Sequence, residues 1–216
     1  MSIFIFSDTH LTTKFNQRKF DKLADLIKKS NQVIINGDFW EGLVINFDQF
    51  LNSRWKELFP LLKEKKAIYI YGNHDDDYFS DDRVFQFCDK AVKEYYLETP
   101  KQKYFFTHGQ HFLFPKQPLD YKLTPSPIKE EFFHFVQLLI FTIFGPFAYP
   151  KKFNDMTIEQ RKQLTSMENI LICGHTHRPE HRKSLNFIDL GAFNYGYANY
   201  MWINNEGNFE LKSEKY

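Results

Sequence analysis

The sequence predicts an α/β fold whose buried strands end in polar loops that meet, and three features of the chain predict it. Short apolar runs of β-forming residues recur, each closed by a cluster of Gly, Asp, Asn or His. A helical apolar pattern lies between the first two runs, as in a βαβ unit. Further strand-like runs follow a long apolar interruption, so the 216 residues read as one domain, 1–216, carrying an insertion at 112–166. In an open α/β sheet, ligands collect beyond the carboxyl ends of the strands, so such polar ends point to one site.

Taken in order, Ile3-Phe4-Ile5-Phe6 runs into Ser7-Asp8-Thr9-His10. Phe20, Leu23, Ala24 and Ile27 recur at helical spacing and predict a helix over 17–29. Val33-Ile34-Ile35 runs into Asn36-Gly37-Asp38 and a loop reaching Gly42. A helix is expected from Phe47 to Phe59, stopped by Pro60. Ala67-Ile68-Tyr69-Ile70-Tyr71 ends at Gly72-Asn73-His74-Asp75. A helix near Asp82 to Lys90 would put Val84, Phe85 and Cys88 on one face, with Asp81 as its cap. Tyr104-Phe105-Phe106-Thr107 ends at His108-Gly109, and Ile170-Leu171-Ile172-Cys173 ends at Gly174-His175-Thr176-His177. Leu185 to Leu190, Asn199 to Asn204 and Asn208 to Lys212 read as strands, the last two joined by a hairpin at Asn205-Glu206-Gly207.

The insertion breaks this rhythm. Pro115, Pro118, Pro125 and Pro127 make an irregular approach to an apolar stretch from Phe132 to Phe144, interrupted by His134, Gln137 and Thr142 and ended by Gly145-Pro146. Thirteen helical residues cover about 20 Å, short of the ~30 Å hydrocarbon core of a bilayer, so a transmembrane span is not expected. Lys116, Lys122, Lys129, Lys151 and Lys152 flank the stretch. An apolar helix bracketed by lysines suits a bilayer interface or a lid over the site; a buried cap helix or a dimer contact is the alternative.

With 28 basic against 27 acidic side chains, no global field favours nucleic acid. Cys88 and Cys173 lie far apart, with no metal-ligand spacing, and read as reduced and buried. The chain enters a strand at once, with no leader-like run, which predicts a cytoplasmic protein; a monomer or homodimer is expected. The 25 phenylalanines exceed what the predicted strands use and imply either a Phe-filled core or an apolar surface.

Five of the eight histidines, at 10, 74, 108, 175 and 177, fall at predicted strand ends beside Asp, Gly or Asn. Carboxylate, imidazole and amide donors in that arrangement suit hard to borderline divalent cations, and the absence of cysteine argues against structural zinc. Two cations about 3.5–4 Å apart would hold a hydroxide and clamp a phosphoryl group. Asp38, a lone acid directly after a glycine at a buried strand end, is the candidate to bridge them.

Asp8-Thr9-His10, Gly37-Asp38 with Glu41, Gly72-Asn73-His74-Asp75, His108-Gly109 and Gly174-His175-Thr176-His177 together resemble the ordered motif set of the calcineurin-like metallophosphoesterases. The resemblance implies a sandwich of mixed β-sheets flanked by helices, with the insertion as a helical cap. It implies that Asp8, His10, Asp38 and His177 hold one metal, and Asp38, Asn73, His108 and His175 the other. It assigns His74 to the phosphate or the leaving oxygen, with Asp75 orienting its ring; an imidazole titrating near neutrality suits that task.

Within the superfamily, Ser7 to Leu11, Gly37 to Glu41, Gly174 to Pro179 and the insertion after His108 are most similar to the UDP-2,3-diacylglucosamine pyrophosphatase group. That similarity implies a lipid-linked nucleotide substrate of lipid A biosynthesis, cleaved at the cytoplasmic face of the inner membrane. Manganese is the expected metal, with iron, zinc or cobalt as alternatives. Arg178 is a candidate to grip a substrate phosphate, and His111 and His181 lie near enough in sequence to touch substrate. The Phe193 to Tyr200 segment either lines the pocket or fills a strand turn. A soluble nucleotide phosphodiesterase and a protein-binding scaffold are the competing functions.

Overall fold

Two β-sheets face each other across a shared apolar layer, and helices cover their outer faces. The computed structural model describes residues 2–113, 124–164 and 167–216, so Pro115, Pro118, Lys116 and Lys122 lie outside the described residues. In chain order the elements are β1 (Ile3–Phe6), α1 (Gln17–Lys29), β2 (Gln32–Asn36), α2 (Phe47–Asn52), α3 (Phe59–Glu64), β3 (Ile68–Ile70), β4 (Lys90–Val92), β5 (Glu94–Glu98) and β6 (Lys103–Thr107). Then come α4 (Gln110–Leu113), α5 (Pro127–Phe144), α6 (Lys152–Leu164), β7 (Ile170–Cys173), β8 (Glu180–Arg182), β9 (Phe187–Asp189), β10 (Phe193–Asn194), β11 (Tyr197–Ile203) and β12 (Phe209–Lys215).

The first sheet runs β10-β11-β1-β2-β3-β4, with β12 paired to β11; the second runs β5-β6-β7-β9-β8. The strands β1, β2 and β3 are parallel, as are β6 and β7, so each set delivers its carboxyl ends to one edge. Strand β1 shows why the runs lack polar alternation. Phe4 and Phe6 face the layer under α1, while Ile3 and Ile5 face the second sheet, so both faces are buried. Ile34, Ile68 and Ile70 meet Tyr104, Phe106, Ile172 and Ile188 in that inter-sheet layer. Asn36, at the end of β2, donates its side-chain amide to Thr107 O at 3.2 Å and stitches the sheets together below the polar loops. Part of the phenylalanine excess fills the layer under the first sheet, where Phe39, Phe47, Phe50, Phe59 and Phe87 pack around Trp40 and Tyr69.

Helix α1 spans the expected residues, capped by Asn16, whose side chain accepts from Lys19 N. The expected helix from Phe47 to Phe59 is instead two helices separated by a 3-10 turn at Arg54–Leu58. Ser53 closes α2 by donating its hydroxyl to Phe50 O, and Pro60 sits in the first turn of α3, where a missing N–H costs nothing. The helix expected near Asp82 is a 3-10 turn, Asp82–Gln86, followed by β4. Asp81 does cap it, but Phe85 is 48% exposed while Val84 and Phe87 are buried, because three residues per turn align 84 with 87. Residues Lys183–Leu185 likewise form a 3-10 turn, and β9 begins only after Asn186, whose φ is 45°.

In the insertion, α5 starts at Pro127 rather than Phe132, since proline is compatible with a helical first turn. It has 18 residues, about 27 Å of helix. Among the described residues no single helix is long and apolar enough to cross a membrane; Pro127–Phe147 and Lys152–Gln163 reach that test only as a pair bent by 72°.

Candidate metal centre and active site

Five loops carry the candidate ligands, and each leaves the carboxyl end of a parallel strand, β1, β2, β3, β6 or β7. Their backbone is unusual. Asp8 (φ 54°), His10 (44°), Asp38 (52°), His175 (68°) and His177 (58°) all adopt the left-handed region that L-residues avoid. Two glycines make room for the carboxylates. A Cβ on Gly72 would lie 2.1 Å from Asp38 Oδ1, and one on Gly174 would lie 2.3 Å from Asp8 Oδ2. The carboxylates are also held by amides: His74 N donates to Asp38 Oδ1 at 2.9 Å, and His175 N to Asp8 Oδ1 at 3.1 Å.

Among the described residues, two aspartate-bearing clusters have ligand atoms close enough to share a cation, Asp8, His10 and His177, and Asp38, His108 and His175; a third group, His10, Glu41 and His74, meets the same test beside them. Asp38 Oδ2 lies 3.1 Å from His108 Nε2 and 3.7 Å from His10 Nε2, so this one carboxylate reaches both. The imidazoles are aimed. His108 Nδ1 lies 2.9 Å from Asn36 O and must donate to it, which turns Nε2 toward the carboxylates, 3.1 Å from Asp38 Oδ2. His10 Nδ1 lies 2.7 Å from Glu41 Oε2, which turns its Nε2 inward in the same way, 3.1 Å from His177 Nε2. Two imidazole nitrogens at that separation repel unless one carries a proton or a cation lies between them. Asn73 Oδ1 is buried and unpartnered. Oxygen-bonded Nδ1 atoms behind inward-facing Nε2 atoms form the outer-shell support of a metal-ligating histidine. These donors fit divalent cations.

The electrostatics agree. Burial works against ionising Asp38, yet His108, His74 and His10 hold its pKa well below the ordinary value. Burial also opposes charge on His108, but the Asp38 and Asp8 carboxylates raise it to about 10. The centre is a negative well that takes up positive charge. His10, by contrast, is lowered to about 4 and His175 to about 3, chiefly by burial, so burial holds both rings neutral.

The model of the Calcineurin-like phosphoesterase superfamily domain matches residues 1–202. The chain belongs to the calcineurin-like phosphoesterase superfamily. Solved structures with the same fold include a dimetal phosphatase from Danio rerio (9% identity, 100% of this chain and 96% of that one, TM-score 0.55). A metallophosphoesterase from Sphaerobacter thermophilus is similar at 13% identity, over 100% of this chain and 88% of that one, with TM-score 0.51. Yfce, a phosphoesterase from E. coli, is similar at 18% identity, over 95% and 89% of the two chains, with TM-score 0.50. No curated protein matches the sequence. As a calcineurin-like phosphoesterase the chain is a phosphoester hydrolase, and its family implies a dimetal centre.

Within this calcineurin-like site, His74 lies beside the clusters, its ring edge-on to His10 at 4.8 Å. Its orienting partner corrects one expectation. Asp75 does not touch the ring: its carboxylate accepts from Gly72 N (2.7 Å), Asp38 N (3.0 Å) and Phe39 N (2.6 Å), bracing the loops. Glu41 orients His74 instead, with Oε1 2.7 Å from Nδ1. Asp75 is drawn instead to the three amides behind the turn.

The three expected substrate contacts each have protein neighbours. Arg178 donates through Nη1 to Phe147 O (2.7 Å) and Tyr149 O (2.8 Å), so it fastens the loop after α5 rather than facing a phosphate. His181 is exposed on β8, packs edge-on against Phe209, and lines a separate surface concavity beside Glu98 to Lys103, because β8 runs antiparallel away from the site edge. His111 lies in α4 against Phe112; burial and the nearby His108 lower its pKa.

Three residues were missed. Glu41 was read only as part of a motif, yet it is fully buried and receives hydrogen bonds from several histidines; burial opposes its charge, but His74 and the bonds from His10 and His134 hold its pKa well below the ordinary value. His134, from α5, places Nε2 2.9 Å from Glu41 Oε2 and Nδ1 2.8 Å from the Tyr195 hydroxyl. Tyr195 thus settles the role of its segment: it lines the site. The signal for His134 was in the sequence. His134, Gln137 and Phe141 are spaced three and four apart, one face of α5, and Gln137 and Phe141 are the fully buried positions on that helix.

Proposed function

We propose that this hydrolase cleaves a phosphodiester or pyrophosphate bond with two divalent cations held by Asp8, His10, Asp38, Asn73, His108, His175 and His177. The observation that carries the reading is the convergence of His10, His108, His175 and His177 ring nitrogens on two buried carboxylates, with Asn73 Oδ1 buried and unpartnered. Bound there, the cations would polarise a phosphoryl oxygen and lower the pKa of the attacking water. His74, with Nδ1 fixed on Glu41, is left with Nε2 to bond a phosphate oxygen or protonate the leaving oxygen. Manganese suits this oxygen-and-imidazole donor set, as do iron, zinc and cobalt.

The substrate we infer is a lipid-linked nucleotide such as UDP-2,3-diacylglucosamine, met at the cytoplasmic face of a membrane. Helix α5 supports this. Its polar residues His134 and Gln137 turn inward, while Ile128 (87%), Ile143 (72%), Phe132 (68%) and Phe144 (66%) stand in solvent. An apolar outer face beside Lys129, Lys151 and Lys152 suits an anionic bilayer surface. Between α5 and the sheet runs a mainly apolar groove of about 370 Å³ that begins at His10 and passes Leu11, Val44, Phe135 and Leu138. A mainly apolar groove that includes the candidate ligand His10 in its lining suits an acyl chain. The test is hydrolysis by the purified chain with manganese, comparing a UDP-linked diacylated sugar in mixed micelles with the same nucleotide sugar lacking acyl chains. Preference for the acylated substrate by tenfold or more is expected; equal rates would overturn the lipid assignment, and no turnover of any diester or pyrophosphate with the four metals would overturn the enzyme.

A further inference from the structure

Glu41 is the meeting point of three imidazoles from three parts of the chain. Its Oε1 lies 2.7 Å from His74 Nδ1, and its Oε2 lies 2.7 Å from His10 Nδ1 and 2.9 Å from His134 Nε2. His10 comes from the loop after β1, His74 from the loop after β3, and His134 from α5 in the insertion. The carboxylate has no solvent exposure, so its direction is set by these donors and by Leu43 N, which reaches Oε1 at 3.3 Å. His134 is in turn held on its far side. Tyr195 faces its Nδ1 and donates its own hydroxyl to Gln137, one turn along α5, and Gln137 donates to Tyr149 after the helix.

We propose that His134 is a positioning residue that the cap contributes to the active site, acting through Glu41 to fix the orientation of both His10 and His74. The inference rests on the dimetal reading of the site. Both ring nitrogens of His134 are engaged by protein, so it does not act on substrate directly. Removing it leaves Glu41 Oε2 with one donor instead of two in a buried place, and the carboxylate rotates or draws in water. His74 then loses the fixed Nδ1 partner that aims its Nε2, and His10 loses the support behind its inward lone pair. Because His134 rides on α5, the position of the cap and the aim of the two imidazoles are set together: a substrate that seats the cap also completes the site beneath it.

Two substitutions separate this from a packing role. His134→Phe keeps the ring volume and removes both nitrogens, while His134→Gln keeps an N–H donor within reach of Glu41. With manganese and a small chromogenic phosphodiester, His134→Phe should lower kcat by roughly 10–100-fold, as outer-shell partners of metal sites do, with KM changed by less than about threefold. His134→Gln should recover to within about fivefold of the parent. A second readout needs neither metal nor turnover: in protein labelled with 15N-histidine, the Nδ1–H resonances of His10 and His74 should shift or broaden in His134→Phe and stay near their parent positions in His134→Gln. Should His134→Phe not fold, Tyr195→Phe decides, with a smaller loss and the same resonances moved. Unchanged kcat and resonances in His134→Phe, or a Gln variant as impaired as the Phe variant, would overturn the proposal. If the parent hydrolyses nothing, the functional reading fails by itself, and the resonances still report whether His134 sets the two rings.

Discussion

The loops at the sheet edge and the cap above them are built on opposite plans. In the loops, the carboxylates of Asp8, Asp38, Glu41 and Asp75 are buried and held by amides or imidazoles, and backbone strain is concentrated there: five candidate ligands adopt positive φ. Such conformations cost about 1–3 kcal/mol each and persist only where the surroundings over-determine them. Here that means parallel strands below, amides on the carboxylates and the brace of Asp75. The cap is the reverse. Helix α5 turns His134, Gln137 and Phe141 inward and leaves Phe132, Phe133, Phe135 and Phe144 outside, and it is fastened by a few polar ties: His134 to Glu41, Arg178 to the carbonyls of Phe147 and Tyr149, and Asn154 of α6 to Thr176, 2.8 Å away. The contrast teaches a division of labour, with chemistry fixed in the rigid edge and recognition placed on an element that a few bonds hold.

The sharpest way to break this contrast is at the shared carboxylate. Asp38→Asn keeps the shape of the side chain but removes the charge that reaches both clusters, and should lower turnover on the order of 10³-fold or more. Metal analysis of the purified variant should show lost occupancy. A chelator should likewise silence the parent, and manganese should restore it. Full metal content and parental rates in Asp38→Asn would remove the bridging role.

His74→Ala probes the same edge one step outward. Metal content should stay at the parental level while kcat falls by about 10²–10⁴-fold, the range of general acid–base contributions. Equal loss of metal would make His74 a ligand. Next comes the outer face of the cap. Replacing Phe132, Phe133 and Phe144 together by Ser removes exposed apolar surface without touching the inward face. Sedimentation with anionic vesicles should weaken at least tenfold, while hydrolysis of a soluble diester stays within about twofold.

Much of the edge was legible in sequence because it obeys local rules. A strand buried on both faces needs an unbroken apolar run, and a ligand-bearing turn needs Gly, Asp, Asn or His directly after it; Ile3 to His10 states both in eight residues. What stayed hidden depends on distances no local pattern encodes. The exchange of partners between Asp75 and Glu41 is one case: both acids lie near His74 in the fold, and only the three amides of Gly72, Asp38 and Phe39 decide which faces away. The 3-10 turns at Arg54 and Asp82 are another, since their periods differ from a helix only over a few residues. His134 sat in a helix read for its apolar content, so its inward direction followed only from Gln137 and Phe141 sharing its face.

Arg178 gives the smallest expected effect and the finest test of the contrast. It directly follows the metal-ligand candidate His177, yet its Nη1 is taken up by two carbonyls of the cap. If it is a fastener, Arg178→Gln forfeits charge-assisted bonds of roughly 1–2 kcal/mol and lowers the melting temperature by about 2–6 °C in a chain of this size. KM for a small phosphodiester should then stay within about twofold, because no phosphate contact has been lost. A tenfold rise in KM with an unchanged melting temperature would mean that the guanidinium leaves the carbonyls when substrate arrives. The cap would then be held by substrate as well as by protein, and the division between edge and cap would hold only for the resting enzyme.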